Sequence, residues 1–288
     1  MPIASLDRIG TTIAGTFLAA AVAFGAASPA AAQDTLETAR EQGFIRIAFA
    51  NEAPFGYAAP DGTLTGEAPE IAKAIFERMG IPEVDGVLTE WASLIPGLQA
   101  GRFDVIAAGM FITPQRCEQI AFSEPTYTLG QSFLVQQGNP KDLHGYDDVA
   151  AGDDVTLGVL AGAVERDYAL EAGVPDERIV RLPDQASMVS AVRAGRVDAA
   201  ALTAISIEQM ARRGGDAVER AEPFTTPEAA MGSGAFGFRK ADEALLNEFN
   251  KHLTEFVGSP EHLELVEQFG FTGNELPSGR TTAELCQG

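Results

Sequence analysis

Trp91-Ala-Ser-Leu-Ile-Pro-Gly-Leu-Gln-Ala-Gly-Arg-Phe-Asp-Val105 aligns without a gap on Gln185-Ala-Ser-Met-Val-Ser-Ala-Val-Arg-Ala-Gly-Arg-Val-Asp-Ala199. Each copy reads as a helix closed by a glycine, a tight Arg-x-Asp link and an apolar strand. Gly101 and Gly195 suit the left-handed position in which helices commonly end. The matched Ala-Ser and Ala-Gly-Arg positions predict two halves of similar architecture. Each half then holds one copy of the same helix-to-strand unit.

Working outward, the same alternation continues. Phe44-Ile-Arg-Ile-Ala-Phe49 reads as a strand with Ile45, Ile47 and Phe49 on one face. A turn-rich loop from Asn51 to Gly66 follows, and then a helix around Pro69 to Met79. Ile71, Ile75 and Met79 recur in that helix at four-residue spacing, with Pro69 near its start and Gly80 at its end. Val105 to Ala108 predicts a short buried strand, after which Thr113-Pro114 opens another helix with a cap residue and a proline. The second half begins its own sheet at Val155 to Leu160. The tail from Glu243 to Phe269 reads as helical, with an apolar stripe of Leu245, Leu246, Phe249, Leu253, Phe256 and Val257. The glycine-rich Met231 to Gly237 before it fits a return crossing between halves. Strand–helix–strand alternation of this kind predicts mainly parallel sheets with helices on both faces.

The N-terminus points to export. Arg8 precedes a mostly apolar run from Ile9 to Ala27 and then Ser28-Pro-Ala-Ala-Ala32, the layout of a signal peptide spanning 1–32 and cut after Ala32. No cysteine near the cut argues for a lipid anchor. Removing one Asp and one Arg with that segment leaves the formal net charge at −21. So acidic a surface argues against nucleic acid, whose phosphates require a basic footprint, and against anionic lipid. The two cysteines, Cys117 and Cys286, form an even pair that in an oxidising compartment predicts one disulfide from tail to first half. The alternative is two unrelated thiols. The three histidines are scattered and no metal-site spacing occurs, so neither a metal nor a cofactor is expected.

No nucleophile elbow, phosphate loop or dinucleotide fingerprint is present, and no catalytic residues are assigned. Aromatic and charged residues gather instead at the C-terminal ends of predicted strands, where open α/β sheets bind ligands. Glu52 and Phe55 follow the first strand, Trp91 opens the first repeat, and Phe111, Thr113 and Arg116 follow the Val105 strand. Taken singly, each aromatic reads as core and Arg116 as a surface arginine; their shared placement points to a site. An arginine near exposed backbone N–H groups receives a carboxylate well, because its fork meets two oxygens at once.

The run Gly109-Met-Phe-Ile-Thr-Pro-Gln-Arg116, then Ala121-Phe-Ser-Glu-Pro-Thr-Tyr127, resembles the polar-amino-acid family of binding proteins of ABC importers, as do Ala100-Gly-Arg-Phe-Asp104 and Ala194-Gly-Arg-Val-Asp198. The resemblance covers essentially the whole chain after residue 32. It implies a two-lobed type II periplasmic-binding-protein fold with two crossing strands as hinge, residues 33–132 and 229–288 forming one lobe and 133–228 the other. It also implies a small zwitterionic ligand, permease subunits of an importer as partners, a soluble periplasmic monomer, and no enzymatic activity. Arg116 would hold the ligand carboxylate, and backbone N–H groups around Ala163 and Val164 would help from the second lobe. Where amino-acid binders place an aspartate for the primary ammonium, this chain has Thr203. The pocket instead looks like that of ectoine/hydroxyectoine-binding proteins, with an aromatic cage at Phe55, Trp91 and Phe111 and an acid at Glu52. Ectoine is a cyclic amidinium carboxylate, a delocalised cation suited to aromatic faces. A polar amino acid or a linear betaine in the same cage is the rival cargo. A dehydratase of the same fold is the enzymatic rival, disfavoured because no second pocket acid is evident.

Overall fold

The computed structural model describes residues 34–288; the expected signal peptide lies outside them. Thirteen strands and the helices between them build two sheets and a hairpin within the unit Asp34–Gly288. In chain order the strands are β1 (Phe44–Phe49), β2 (Tyr57–Ala58), β3 (Leu64–Thr65), β4 (Glu83–Leu88), β5 (Val105–Phe111), β6 (Ala121–Phe122), β7 (Tyr127–Leu129), β8 (Gln131–Gln136), β9 (Leu157–Leu160), β10 (Ile179–Leu182), β11 (Ala199–Thr203), β12 (Val218–Arg220) and β13 (Gly232–Phe238).

The first sheet runs β4-β1-β5-β13-β6, with β7 also paired to β13; the second runs β10-β9-β11-β8-β12. Each has a parallel three-stranded core, β4-β1-β5 and β10-β9-β11. Antiparallel strands extend both cores, so the sheets are mixed. The mixing follows from the crossings. The chain leaves the first sheet at β7, enters the second at β8 after the single residue Gly130, and returns between β12 and β13. A strand arriving from the opposite lobe lies antiparallel to the edge it meets. The result is a two-lobed α/β fold.

The internal echo has a physical basis at its two aspartates. Asp104 accepts from the Arg46 backbone N–H (3.3 Å) and Arg46 Nε (3.0 Å), while its own N–H donates to the Arg46 carbonyl. Asp198 does the same for Thr156, accepting from its N–H (2.8 Å) and hydroxyl (2.9 Å) and donating to its carbonyl. Each Ala-Gly-Arg-x-Asp link thereby clips the start of its strand, β5 or β11, to the neighbouring parallel strand, β1 or β9. Gly101 (φ +68°) and Gly195 (φ +67°) make the left-handed turns before these clips.

Elements elsewhere extend or divide the expectations. The first long helix is Glu67–Arg78, closed by Gly80 at φ +81°, and it buries Ile71, Ile75 and Phe76. β5 continues through Gly109-Met-Phe111 and is buried at every position. The C-terminal helical tail breaks into Glu243–Phe256 and Pro260–Glu267, because Ser259 caps a new helix whose first residue is a proline. Cys117 and Cys286 are joined by a disulfide. Among the described residues, no helix is long and apolar enough to cross a membrane, and no cluster of three metal-ligating side chains occurs.

Candidate functional site

A small cavity lies where the C-terminal ends of β5 and β11 face each other. Glu52, Trp91, Gly109, Phe111 and Arg116 line it from the first sheet's side, and Ala163, Val164, Glu165, Leu202 and Thr203 from the second's. Each position follows from local structure. Thr113 caps the short helix Pro114–Cys117, its hydroxyl accepting from the Arg116 N–H, so Arg116 enters the cleft from that helix's first turn. Its guanidinium donates to the Phe111 carbonyl (2.8 Å) and across the cleft to the Gly162 carbonyl (3.3 Å). Trp91 Nε1 donates to the same Gly162 carbonyl (3.2 Å), and the Arg116 guanidinium carbon lies 5.8 Å from the Trp91 ring centroid. Gly162 at φ +83° supplies that carbonyl in a turn packed on Ala92, where a side chain would crowd the backbone.

Two side chains tie the lobes beside the cavity. Ser206, in the helix that Thr203 caps, donates to Glu52 Oε1 (3.1 Å) and the Ala53 carbonyl (3.2 Å). The Gln185 side chain exchanges two hydrogen bonds with the Ala53 backbone. All these groups are withdrawn from water, and their acidities respond. Burial pushes Glu52 up to about 8, the nearby Glu165 carboxyl adds to the rise, and the Ser206 hydroxyl and Arg116 oppose it. Burial likewise raises Glu165 to about 7, against its own backbone N–H and Arg116. Burial lowers Arg116, and Glu165 counters that effect.

Of the residues singled out in the sequence, Glu52, Trp91, Phe111, Arg116, Ala163, Val164 and Thr203 come together around the cavity. Two do not, and these are corrections. Thr113 acts as the cap beneath Arg116 and is not part of the lining. Phe55 turns into the first lobe's core, its ring 5.2 Å from Tyr127 and 5.6 Å from Phe271. It fits there because Gly109, at φ +66°, lacks a Cβ that would sit 2.3 Å from the Phe55 ring. The aromatic wall of the cavity is therefore Trp91 and Phe111, with Phe55 one layer behind Gly109. The Ala163 N–H is already engaged by the Leu160 carbonyl, so the tight turn after β9 presents the Gly162 carbonyl to the first lobe.

Glu165, Ser206 and Gln185 were not singled out. Glu165 is a second pocket acid, which removes the argument that only one exists. It directly follows Val164 in a loop already placed at a strand end, and that adjacency was the available signal.

The glycines of β13 shape the wall. A Cβ at Gly232 would lie 2.0 Å from two carbons of the Phe111 ring, and one at Gly234 2.1 Å from the Tyr127 ring. Gly232→Ala is expected to push the Phe111 ring into the cavity and lower ligand affinity at least tenfold, with roughly 1–3 kcal/mol of stability lost to overpacking. Calorimetry and a thermal melt on the same variant separate the two effects.

Two α/β lobes with a buried, mixed polar and aromatic cavity between them define a solute-binding protein. Residues 45–272 match the bacterial extracellular solute-binding proteins, family 3, and the chain belongs to that family. The family is one of binding proteins, not enzymes. The chain is 38% identical over 277 residues, 93% of its length and 91% of the relative's, to a probable amino-acid ABC transporter periplasmic-binding protein, y4tE, of Sinorhizobium fredii (strain NBRC 101917 / NGR234). It is 29% identical to the arginine-binding extracellular protein ArtP of Bacillus subtilis (strain 168), over 78% of this chain and 85% of that one. Among solved structures it is similar to EhuB in complex with hydroxyectoine, with a TM-score of 0.81 and 37% identity over 88% of this chain and 98% of that one. It is also similar to the ancestral amino acid-binding protein AncCDT-1, a precursor of cyclohexadienyl dehydratase, with a TM-score of 0.72 and 29% identity over 82% and 99%.

Proposed function

We propose that the protein captures ectoine or hydroxyectoine between its lobes and delivers it to the permease subunits of an ABC importer. The observation that carries this reading is the convergence of Arg116, Trp91, Phe111 and Glu52 on one buried cavity. Arg116 offers a fork for the ligand carboxylate. Trp91 and Phe111 offer faces to a flat, charge-delocalised ring, worth roughly 0.5–2 kcal/mol for a good cation–π contact. Glu52 accepts a ring N–H. Thr203 caps its helix by accepting from the Ser206 N–H and carries no charge to meet a primary ammonium, which favours the ring over a free α-amino acid. The likeness to EhuB with hydroxyectoine supports the same cargo.

Transport follows from closure. The lobes, taken as 33–132 with 229–288 and as 133–228, shut over the ligand, which shifts the open–closed balance only by its preference for the closed form. The test is calorimetry on protein unfolded and refolded to strip carried-over ligand. Tight binding of ectoine and hydroxyectoine, with little for arginine, glutamine, glutamate or glycine betaine, is expected. An amino acid binding more tightly than ectoine would overturn the cargo and leave the binding class intact.

A further inference from the structure

Glu165 carries a consequence for specificity. It opens the helix Glu165–Glu171 after β9, is only 2% exposed, and lines the cavity opposite Glu52, which follows β1 in the other lobe. Its Oε1 is held by Gln131: with the Gln131 amide nitrogen turned toward its two oxygen neighbours, it donates to Glu165 Oε1 (3.0 Å) and the Leu202 carbonyl (3.2 Å). Its Oε2 is buried without any partner. A buried, unpaired carboxyl oxygen beside a ligand cavity is an acceptor waiting for a donor, since leaving it unmade is costly.

We propose that Glu165 is a second ligand-binding acid, and that Glu52 and Glu165 bracket the ligand's cationic end from opposite lobes and take up a proton when the ligand is a zwitterion. This deepens the proposed cargo. A cyclic amidinium carries two ring N–H bonds, one either side of the amidine carbon, and so gives one to each acid. A quaternary ammonium has none to give.

The proton follows from counting charge in a dry site. The charged and titratable groups around Glu165 are Glu52, Arg116, Asp167, Tyr127, Tyr168 and Tyr146. All three tyrosines are raised by burial and neutral, and Asp167 is two-thirds exposed. That leaves two carboxylates, Arg116, and a ligand of zero net charge: one negative charge too many. In an open, wet cleft both acids ionise ordinarily; closing over a zwitterion raises one of them and draws in a proton. The directions at Glu52 and Glu165 in the closed lobes agree with this. Because the bound state holds the extra proton, zwitterion affinity rises as pH falls from about 8 toward the ordinary carboxylate range.

Ectoine titrations at pH 7.5 in two buffers of different ionisation enthalpy give affinity and proton count together. The wild type is expected to take up a proton on binding. Glu165→Gln should bind ectoine about 10- to 100-fold more weakly, with proton uptake near zero and a flat pH profile. Glu67→Gln is the control: Glu67 is also buried, and burial raises it to about 8, but it lies outside this cavity, so affinity and proton count should match wild type. Glu165→Gln affinity within twofold of wild type, or an unchanged proton count, overturns the proposal. Should wild type ignore ectoine and bind arginine, the cargo reading falls and the acid pair is tested with arginine. Its extra positive charge balances the site, so binding without proton uptake and a weaker Glu165→Gln complex are then expected.

Discussion

Replacing Arg116 by alanine is expected to weaken ligand capture by more than about 100-fold while leaving a folded protein. The side chain is buried, and its burial lowers its own pKa, so the charge is held there by what surrounds it. Two of its donors go to the Phe111 and Gly162 carbonyls. A guanidinium has five N–H bonds in a fixed fork, which leaves donors for a carboxylate in the cavity. Without Arg116, the ligand's carboxylate enters a closed, acid-lined site with no positive partner. The loss is that of a broken buried pair, about 3–5 kcal/mol. Arg116→Lys keeps the charge but not the fork and should fall between. Calorimetry on all three proteins, with circular dichroism to establish folding, reads the result. Wild-type affinity in the alanine variant would mean that the carboxylate sits elsewhere.

The same residue shows how far sequence reaches. Arg116 was legible because its position depends on contiguous residues: Thr113 caps, Pro114 starts the helix, and the first turn aims the side chain. The Ala-Gly-Arg-x-Asp links were legible for the same reason, since the glycine, arginine and aspartate act within a few residues of one another. The clip that each aspartate makes was not, because Arg46 lies 58 residues from Asp104.

Phe55 went the other way. An aromatic at a strand end can face the cleft or the core, and the choice was made by Gly109, a glycine in a different strand whose left-handed backbone opens room for the ring. Ser206 meets Glu52 across 154 residues, and no local pattern ties a serine in one helix to a glutamate in a distant loop. The illegible contacts are those between residues far apart in the sequence, and they include the ones made where the two lobes meet. That is also where specificity resides, which is why the class of protein was easier to read than its cargo.

Breaking the Cys117–Cys286 bridge should lower stability more than affinity, and this contrast tests what the tail is for. The bridge spans 169 residues, so it removes much conformational freedom from the unfolded chain; loss of a native disulfide typically costs about 2–5 kcal/mol. For a protein of this size that corresponds to roughly 5–15 °C in melting temperature. The affinity effect should be smaller because the tail is also held without the bridge. Thr281 and Glu284 form a capping box around the helix Thr282–Leu285. Thr282 donates through its hydroxyl to the Ser123 carbonyl (2.6 Å) and through its N–H to Glu124 Oε2 (3.1 Å). Leu285 packs into the apolar cluster that contains Trp91 and Leu94. Cys117 ends the helix that carries Arg116, yet Arg116 is aimed by the Thr113 cap and by its bond to the Phe111 carbonyl, neither of which needs the sulfur. A Cys117→Ser/Cys286→Ser protein, titrated well below its lowered melting temperature, should therefore keep its ligand within a few-fold of wild-type affinity. A loss approaching that of Arg116→Ala at a temperature where the variant is fully folded would show the opposite: that the tail holds the arginine's helix in place.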